Sequence, residues 1–132
     1  CVDSFVLPEN LANFEFSQYD YIIDAIDTVS TKIAIIEKAK KENIPVISSM
    51  GTGNKFHPEL FKIVDISKTN TCPLAKVMRY ELRQRGINHV PVLYSEEIPV
   101  KTHNNIPGSI SYVPSSAGIL IASYVINQII GK

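Results

Sequence analysis

A single aspartate, Asp27, is the residue of this chain best placed to take part in chemistry. It ends the short apolar run 21–27, whose length and β-branched residues predict a buried strand. In open α/β sheets, ligands bind outside the carboxyl ends of the parallel strands. A carboxylate there is suited to hold a Mg²⁺ ion that bridges phosphates. The same residue could instead cap the helix that follows, and its type and position leave both roles open.

A second aspartate, Asp24, lies three residues earlier in the same run. Side chains alternate between the two faces of a strand, so this odd offset predicts that Asp24 and Asp27 point to opposite faces. The two carboxylates therefore do not form a paired acid–base site. A buried role and a role at the sheet edge remain equally open for Asp24.

Two further features carry weaker signals. The turn Gly51-Thr52-Gly53 matches neither GxGxxG nor the P-loop pattern, which favours a plain turn over a phosphate site. Cys72 precedes Pro73 at a predicted helix start, where a thiolate would be stabilised, but no histidine is near it in sequence. We therefore interpret Cys72 as structural or incidental. The two cysteines and three histidines are isolated from one another, which argues against structural zinc, and no residue is assigned as catalytic.

The helix predicted from Pro73 carries a basic stripe. Lys76, Arg79, Tyr80 and Arg83 fall within about a third of the helix circumference at roughly 100° per residue. Such a stripe with one aromatic residue suits contact with an RNA backbone. An ordinary solvated helix face has the same appearance, and the stripe alone favours that simpler interpretation.

The elements that position these residues begin with a β-α-β unit. A helix starts near Thr28 and ends before Asn43, and the run 44–49 is the next strand. This unit implies parallel strands and a right-handed crossover. Beyond it the sequence predicts an antiparallel strand over 60–66, a helix from Pro73 to about Arg85 capped by Gly86, strands over 90–94 and 110–113, and a last helix from Ser115 or Ser116 to Gly131.

Composition sets the class of protein. The chain has 132 residues, 45% of them apolar and 20% charged, with a formal net charge of zero. This describes one globular domain and excludes a uniformly basic nucleic-acid binder. The most apolar segment, residues 117–130, would be roughly 20 Å long as a helix, too short for a hydrocarbon core of roughly 30 Å. We interpret it as a helix buried in its own core or in a homodimer interface, within a cytoplasmic protein.

Several stretches, in order, resemble one known superfamily. They are YIIDAIDTVSTK from Tyr21, IPVISSMGTG from Ile44, DISKTNTCPLAKVMR from Asp65, VLYSE from Val92, and the closing residues 108–131. On these stretches the chain is similar to the ubiquitin-activating-like (ThiF/MoeB/HesA) superfamily. The stretches from Asp65 and Val92 resemble its tRNA-modifying dehydratase branch in particular.

The resemblance implies an α/β, Rossmann-like three-layer fold, of which this chain is the C-terminal half of a mixed sheet with flanking helices. Residues 1–132 would be a single partial domain that lacks the ATP-loop half, in keeping with a start at Cys1 rather than Met. The family uses ATP and Mg²⁺, with Asp27 at the matching position for both, and is usually homodimeric. The dehydratase branch activates the carboxylate of threonylcarbamoyladenosine in tRNA and removes water. Lys76, Arg79 and Arg83 become candidate tRNA contacts, and the fragment alone is expected to be inactive.

Two other functions remain open. A sibling that adenylates a ubiquitin-like sulfur-carrier protein would typically show zinc-binding CxxC pairs and a cysteine in the crossover loop. Neither is present here, which favours the dehydratase branch. A non-catalytic dimerisation module would explain the apolar last helix and the missing ATP loop.

Overall fold

A four-stranded mixed sheet forms the centre of the protein, as seen in a computed structural model that describes all residues from 1 to 132. The strands lie in the order β1-β2-β4-β3. Strand β1 pairs with β2 and β2 with β4 in parallel, whereas β3 pairs with β4 antiparallel. The predicted parallel β-α-β unit and the predicted antiparallel strand are thus confirmed. The strands span Ile22–Asp24 (β1), Val46–Ser49 (β2), Phe61–Asp65 (β3) and Pro91–Ser95 (β4).

Helices cover both faces of the sheet, which makes the fold the expected three-layer α/β arrangement. Helices α1 (Val29–Lys41) and α2 (Pro73–Gln84) pack on one face together with the short 3-10 segment Pro8–Asn13. Helix α3 (Tyr112–Ile129) packs on the other face against Ile47 and Leu93. Alternate residues of β2 and β4 point to these two layers because side chains alternate along a strand.

Helix α2 ends in a Schellman motif at Gly86, where the sequence predicted a cap. Gly86 has φ +75° and donates its N–H to the Arg83 carbonyl at 3.0 Å. Ile87 donates its N–H to the Leu82 carbonyl at 2.9 Å, so two carbonyls of the last turn are satisfied. Asn43, with φ 57°, ends α1 in the same way.

Gly86→Ala is expected to lower the free energy of unfolding by about 1–2 kcal/mol, because an L side chain is strained in the left-handed region. Nothing lies within 4 Å of the added Cβ, so the loss comes from the backbone alone. Gly118→Ala, inside α3 and equally free of neighbours, is the control and should raise stability by up to about 1 kcal/mol. Urea denaturation of both variants checks this, and equal effects of the two changes would contradict it.

The predicted strand over 110–113 is wrong. Helix α3 already begins at Tyr112, and Val113 donates its N–H to the Ile110 carbonyl at 2.9 Å, which closes a turn there. Pro114 is tolerated in the first turn of the helix because its missing N–H would have no partner in the helix. Ser115 and Ser116 do not cap the helix either: their hydroxyls donate to the carbonyls of Ser111 and Tyr112.

Helix α3 is covered by this chain on one side only. Val113, Ala117, Ile121 and Val125 are buried against the sheet. Its other side leaves large apolar side chains exposed, namely Ile119, Leu120, Ile126, Ile129 and Ile130. The side of the helix that faces the sheet is therefore buried in the protein's own core, as expected, whereas the opposite side is not. No helix here combines the length and apolar character that crossing a bilayer requires.

Candidate functional site

A cleft of about 610 Å³ opens at the carboxyl ends of the parallel strands, where open α/β folds bind ligands. Each wall comes from a loop that follows a strand, or from the start of α2, which contributes Cys72, Pro73 and Leu74. The lining comprises Asp27 after β1, residues 51–55 after β2, and Pro99, Pro107, Gly108 and Ser109 after β4. The fold thus brings Asp27 and the Gly-rich turn together, although they lie apart in sequence.

Asp27 lies at the rim of this cleft with its carboxylate free. The residue is exposed, and its side chain makes no hydrogen bond or ion pair within the protein. Strand β1 ends at Asp24, so Asp27 belongs to the bend beyond the strand and does not close the strand itself. The capping alternative is wrong, because Thr28 is the N-cap of α1 and no side chain caps that helix end. The carboxylate is therefore available to a ligand of the cleft.

Asp24 is buried in an ion pair beneath this bend. Its Oδ2 lies 3.0 Å from Lys32 Nζ, and both side chains are fully buried. The same Oδ2 accepts a hydrogen bond from Ser48 Oγ at 2.6 Å, while Oδ1 accepts the Ile26 N–H at 3.1 Å. Asp24 and Asp27 thus form no carboxylate pair, as predicted, but Asp27 lies beyond the strand whose alternation was the basis of that prediction.

Lys32 joins the ends of β1 and β2 through its ammonium group. Besides Asp24, it donates to the carbonyls of Ile26 at 3.0 Å and Ser49 at 2.7 Å. All three donors of the ammonium are therefore used, as a buried cation requires. This contact fixes the backbone one residue before Asp27 and thereby positions the carboxylate at the cleft.

The second wall of the cleft is held by Asn54, whose φ is 57°. Its N–H donates to the Gly108 carbonyl at 2.8 Å, and its Oδ1 accepts the Gly108 N–H at 2.6 Å. Its carbonyl also accepts the Val100 N–H at 2.8 Å. These bonds tie the turn after β2 to the long connection after β4.

Glu97 reinforces the same connection from beneath. Its carboxylate, almost fully buried, accepts the N–H groups of Phe56 at 2.8 Å and His57 at 3.0 Å. The sequence analysis missed this role, and no local pattern separates Glu97 from its neighbour Glu96. Glu96 instead pairs at the surface with Lys62 at 2.7 Å, and this hydrogen bond, followed by that of Tyr94, holds the pKa of Glu96 below its usual value.

Lys55 is the second residue that the sequence analysis missed. It is only 4% exposed, lines the cleft, and makes no side-chain hydrogen bond or ion pair within the protein. A lysine directly after a Gly-rich turn that follows a parallel strand was the available signal. The cleft thus holds one free carboxylate and one free ammonium.

The cleft suits a magnesium ion that arrives with a nucleotide. No cluster of three or more His, Cys, Asp or Glu side chains exists that could hold a metal ion alone. Mg²⁺ commonly keeps several waters and takes one or two carboxylates together with substrate phosphates. Asp27, free and exposed at the rim, fits that single-carboxylate role.

Cys72 is buried at the N-cap of α2 and lines the cleft. It forms no disulfide, and its thiol makes no hydrogen bond. The structure places no histidine in the lining of the cleft, so the usual base that activates a thiol is absent from the lining. The interpretation of Cys72 as structural or incidental stays a prediction.

The basic stripe of α2 divides into two parts. Lys76 and Arg83 are exposed, and their side chains make no hydrogen bond or ion pair. Arg79 is half-buried, and its Nη1 donates to the carbonyl of Thr69 at 2.9 Å and to the Thr69 hydroxyl. Arg79 therefore holds the loop before α2 in place, whereas Lys76 and Arg83 remain free for an outside partner.

The fold and the cleft define a Rossmann-like α/β protein with a cleft at the carboxyl ends of its parallel strands, where open α/β folds bind ligands. A model of the ThiF family matches residues 1–132, and the chain belongs to that family. The tRNA threonylcarbamoyladenosine dehydratase of Bacillus subtilis (strain 168) is 37% identical over 144 residues, covering 96% of this chain and 57% of that protein. The protein of the same name from Escherichia coli (strain K12) is 38% identical over 82 residues, covering 62% and 31% respectively.

Solved structures give the same relationship. Crystal structures of the E. coli tRNA N6-threonylcarbamoyladenosine dehydratase in complex with AMP and with ATP each superpose with a TM-score of 0.87 and 29% identity. The superpositions cover 98% of this chain and 56% of the E. coli chain. The chain thus spans about half the length of the relatives that it matches most fully.

Proposed function

We propose that this chain is part of an ATP-dependent enzyme that activates threonylcarbamoyladenosine in tRNA and converts it to its cyclic form. The observation that carries the proposal is the free Asp27 carboxylate in a cleft at the strand ends. The similarity to the B. subtilis dehydratase over 96% of the chain supports the substrate. The AMP and ATP complexes of the E. coli dehydratase support the nucleotide.

The reaction divides into two balanced steps. A carboxylate oxygen of the substrate first attacks the α-phosphorus of ATP, which gives an acyl adenylate and releases pyrophosphate. A nucleophile within the same substituent then attacks the acyl carbon and releases AMP, which retains the carboxylate oxygen. The nucleoside thus loses one water overall. Activation is needed because a free carboxylate is a poor electrophile until one of its oxygens becomes a good leaving group.

Asp27 is the residue that we assign to ATP and Mg²⁺. Its position beyond β1 faces the site where the phosphates of a nucleotide would lie in an open α/β sheet. Mg²⁺ would neutralise phosphate charge and orient the α-phosphorus. The buried Lys32 contact holds the preceding residue, Ile26, so the carboxylate is positioned before the ligand binds.

We further propose that residues 1–132 are the C-terminal part of one domain, and that the whole protein is a cytoplasmic homodimer. Strand β1 is an edge strand, and its Ile23 is 48% exposed. The outer side of α3 also leaves apolar residues uncovered. Exposed apolar side chains on one side of a helix suit a contact with further protein. Further strands of the sheet would cover the edge strand β1, and a second copy of the protein would cover the outer side of α3.

The tRNA would contact the free part of the basic stripe. Lys76→Glu with Arg83→Glu is expected to weaken tRNA binding. The slope of the logarithm of the binding constant against the logarithm of the salt concentration should become shallower by about 0.7–0.9 per lost phosphate contact. Lys40→Glu with Lys41→Glu, exposed on α1, changes the net charge equally and is the control. Filter binding at several salt concentrations would measure both. Equal loss in the two variants would indicate a general charge effect and not a tRNA contact. Arg79→Glu belongs in a separate variant, because it also releases the Thr69 loop.

The products of ATP test the proposal most simply. The intact protein should form AMP and pyrophosphate only when tRNA carrying threonylcarbamoyladenosine is added. Release of ADP and phosphate would exclude adenylation. AMP formation with a sulfur-carrier protein in place of tRNA would assign the sibling function. No use of ATP with either substrate would favour a dimerisation module.

A further inference from the structure

Lys55 is one of four residues that line both the Asp27 cleft and a second cavity. It lines the cleft of about 610 Å³ and also a neighbouring cavity of about 210 Å³. The neighbouring cavity is bounded by Phe56, Val100 and Ile110, which give it an apolar wall. A group bound in the cleft and a group bound in the cavity would both meet this lysine.

The protein itself supplies no partner for the Lys55 ammonium. Buried charges are normally paired or fully hydrogen-bonded, because removal from water is otherwise unfavourable. Lys32 in the same protein follows this rule, with a carboxylate and two carbonyls around it. Lys55, at 4% exposure, has neither a carboxylate nor a carbonyl partner, and its ammonium is not sealed from solvent, since Thr31 Oγ1 is the only fully buried side-chain polar atom without a partner. The protein therefore places no negatively charged group in contact with this ammonium.

The acidic side chains of this region form no ion pair with Lys55. Both carboxylate oxygens of Glu97 accept the backbone N–H groups of Phe56 and His57. Asp27 shares the cleft but forms no ion pair with Lys55. The cleft thus presents a free ammonium and a free carboxylate at separate points. That arrangement suits reactants that bind directly to the lysine ammonium and bind to the aspartate carboxylate through a cation.

We propose that Lys55 binds an oxyanion of the reactants, either a phosphate oxygen of the nucleotide or the carboxylate that is activated. The proposal rests on the function proposed above and adds a residue that recognises the reactants. Asn54 and Glu97 fix the backbone on either side of Lys55 before any ligand binds. The backbone that carries the lysine is therefore fixed in advance, which lowers the ordering cost of binding.

The test compares Lys55→Met with Lys55→Arg in the intact protein. Lys101→Met, an exposed lysine of the connection after β4, is the matched control for loss of one charge. Calorimetry gives the Kd for pyrophosphate, for Mg-ATP and for N-carbamoylthreonine, and initial rates give the KM for the tRNA. Melting curves establish that each variant is folded, and Lys55→Gln replaces Lys55→Met if the latter is not.

Lys55→Met is expected to raise at least one of these Kd or KM values about tenfold or more. Loss of a hydrogen bond to a charged group typically has an effect of this size. Lys55→Arg should retain part of the binding, and Lys101→Met all of it. Weaker pyrophosphate and ATP binding would assign the phosphate, whereas a raised KM and weaker N-carbamoylthreonine binding would assign the carboxylate. Changes below about twofold in every constant would overturn the proposal.

Failure of the inference can be distinguished from failure of the proposed function. Normal turnover in Lys55→Met, with unchanged Kd and KM values, would refute the assignment of Lys55 and leave the proposed function intact. The intact protein could also bind pyrophosphate through Lys55 and yet fail to modify tRNA. That result would support the anion site and refute the proposed reaction.

Discussion

Asp27→Asn is expected to lower the ATP-dependent activity of the intact protein by about a hundredfold or more. The carboxylate is free, exposed and at the rim of the cleft, so an amide of equal size removes the charge without removing packing. The loss of one preorganised electrostatic contact to a reacting phosphate typically has an effect of this size. Stability should change by less than about 0.5 kcal/mol, as for other surface substitutions away from structural contacts.

Asp20→Asn is the matched control for this prediction. Asp20 is also exposed and makes no side-chain contact, but it does not line the cleft. Initial rates at several Mg²⁺ concentrations measure both variants, and urea denaturation establishes that each is folded. Activity of Asp27→Asn within about twofold of the parent would refute the assignment of Asp27 to Mg-ATP.

Asp24→Asn is expected to lower the free energy of unfolding by about 3–5 kcal/mol. The change leaves the Lys32 ammonium buried without a counter-charge, since both side chains are fully buried. Removing one partner of a buried ion pair typically costs that much. Ser48 also loses part of its hydrogen bond, because its hydroxyl donates to the same carboxylate oxygen at 2.6 Å.

A double-mutant cycle separates the ion pair from its surroundings. Asp24→Asn combined with Lys32→Met should destabilise the protein by less than the sum of the two single changes, because the second removes the stranded charge. Glu81→Gln, which breaks the partly exposed pair with Arg85, is the control and should change stability by at most about 1 kcal/mol. An effect of Asp24→Asn no larger than that of the control would mean that the pair does not hold the strand ends.

The sequence predicted the order of the elements because their signals are local. The helix ends at Asn43 and Gly86 are fixed by residues that adopt positive φ, and such residues are visible in the sequence. The first strand was predicted too long for a reason that is not local. Its apolar run continues past Asp24, but the Lys32 ammonium takes the carbonyls of Ile26 and Ser49. Strand pairing therefore stops where the ion pair begins.

The candidate site could be predicted only in part. The rule for open α/β sheets placed Asp27 at a ligand site, and the cleft is found there. Lys55 and Glu97 acquire their roles only when the connections after β2 and β4 meet at Asn54 and Gly108, more than fifty residues apart in sequence. Arg79 shared the stripe pattern with Lys76 and Arg83, but its contact with Thr69 depends on how the loop before α2 folds back. Spacing within one helix carries no information on such a contact.

The most direct test of the proposed function is the mass of the modified nucleoside. The intact protein is incubated with Mg-ATP and tRNA that carries linear threonylcarbamoyladenosine, and the digested tRNA is analysed by mass spectrometry. We predict that the nucleoside loses one water, that the loss requires ATP, and that Asp27→Asn prevents it. A nucleoside of unchanged mass after incubation with a protein that consumes ATP would contradict the proposed function.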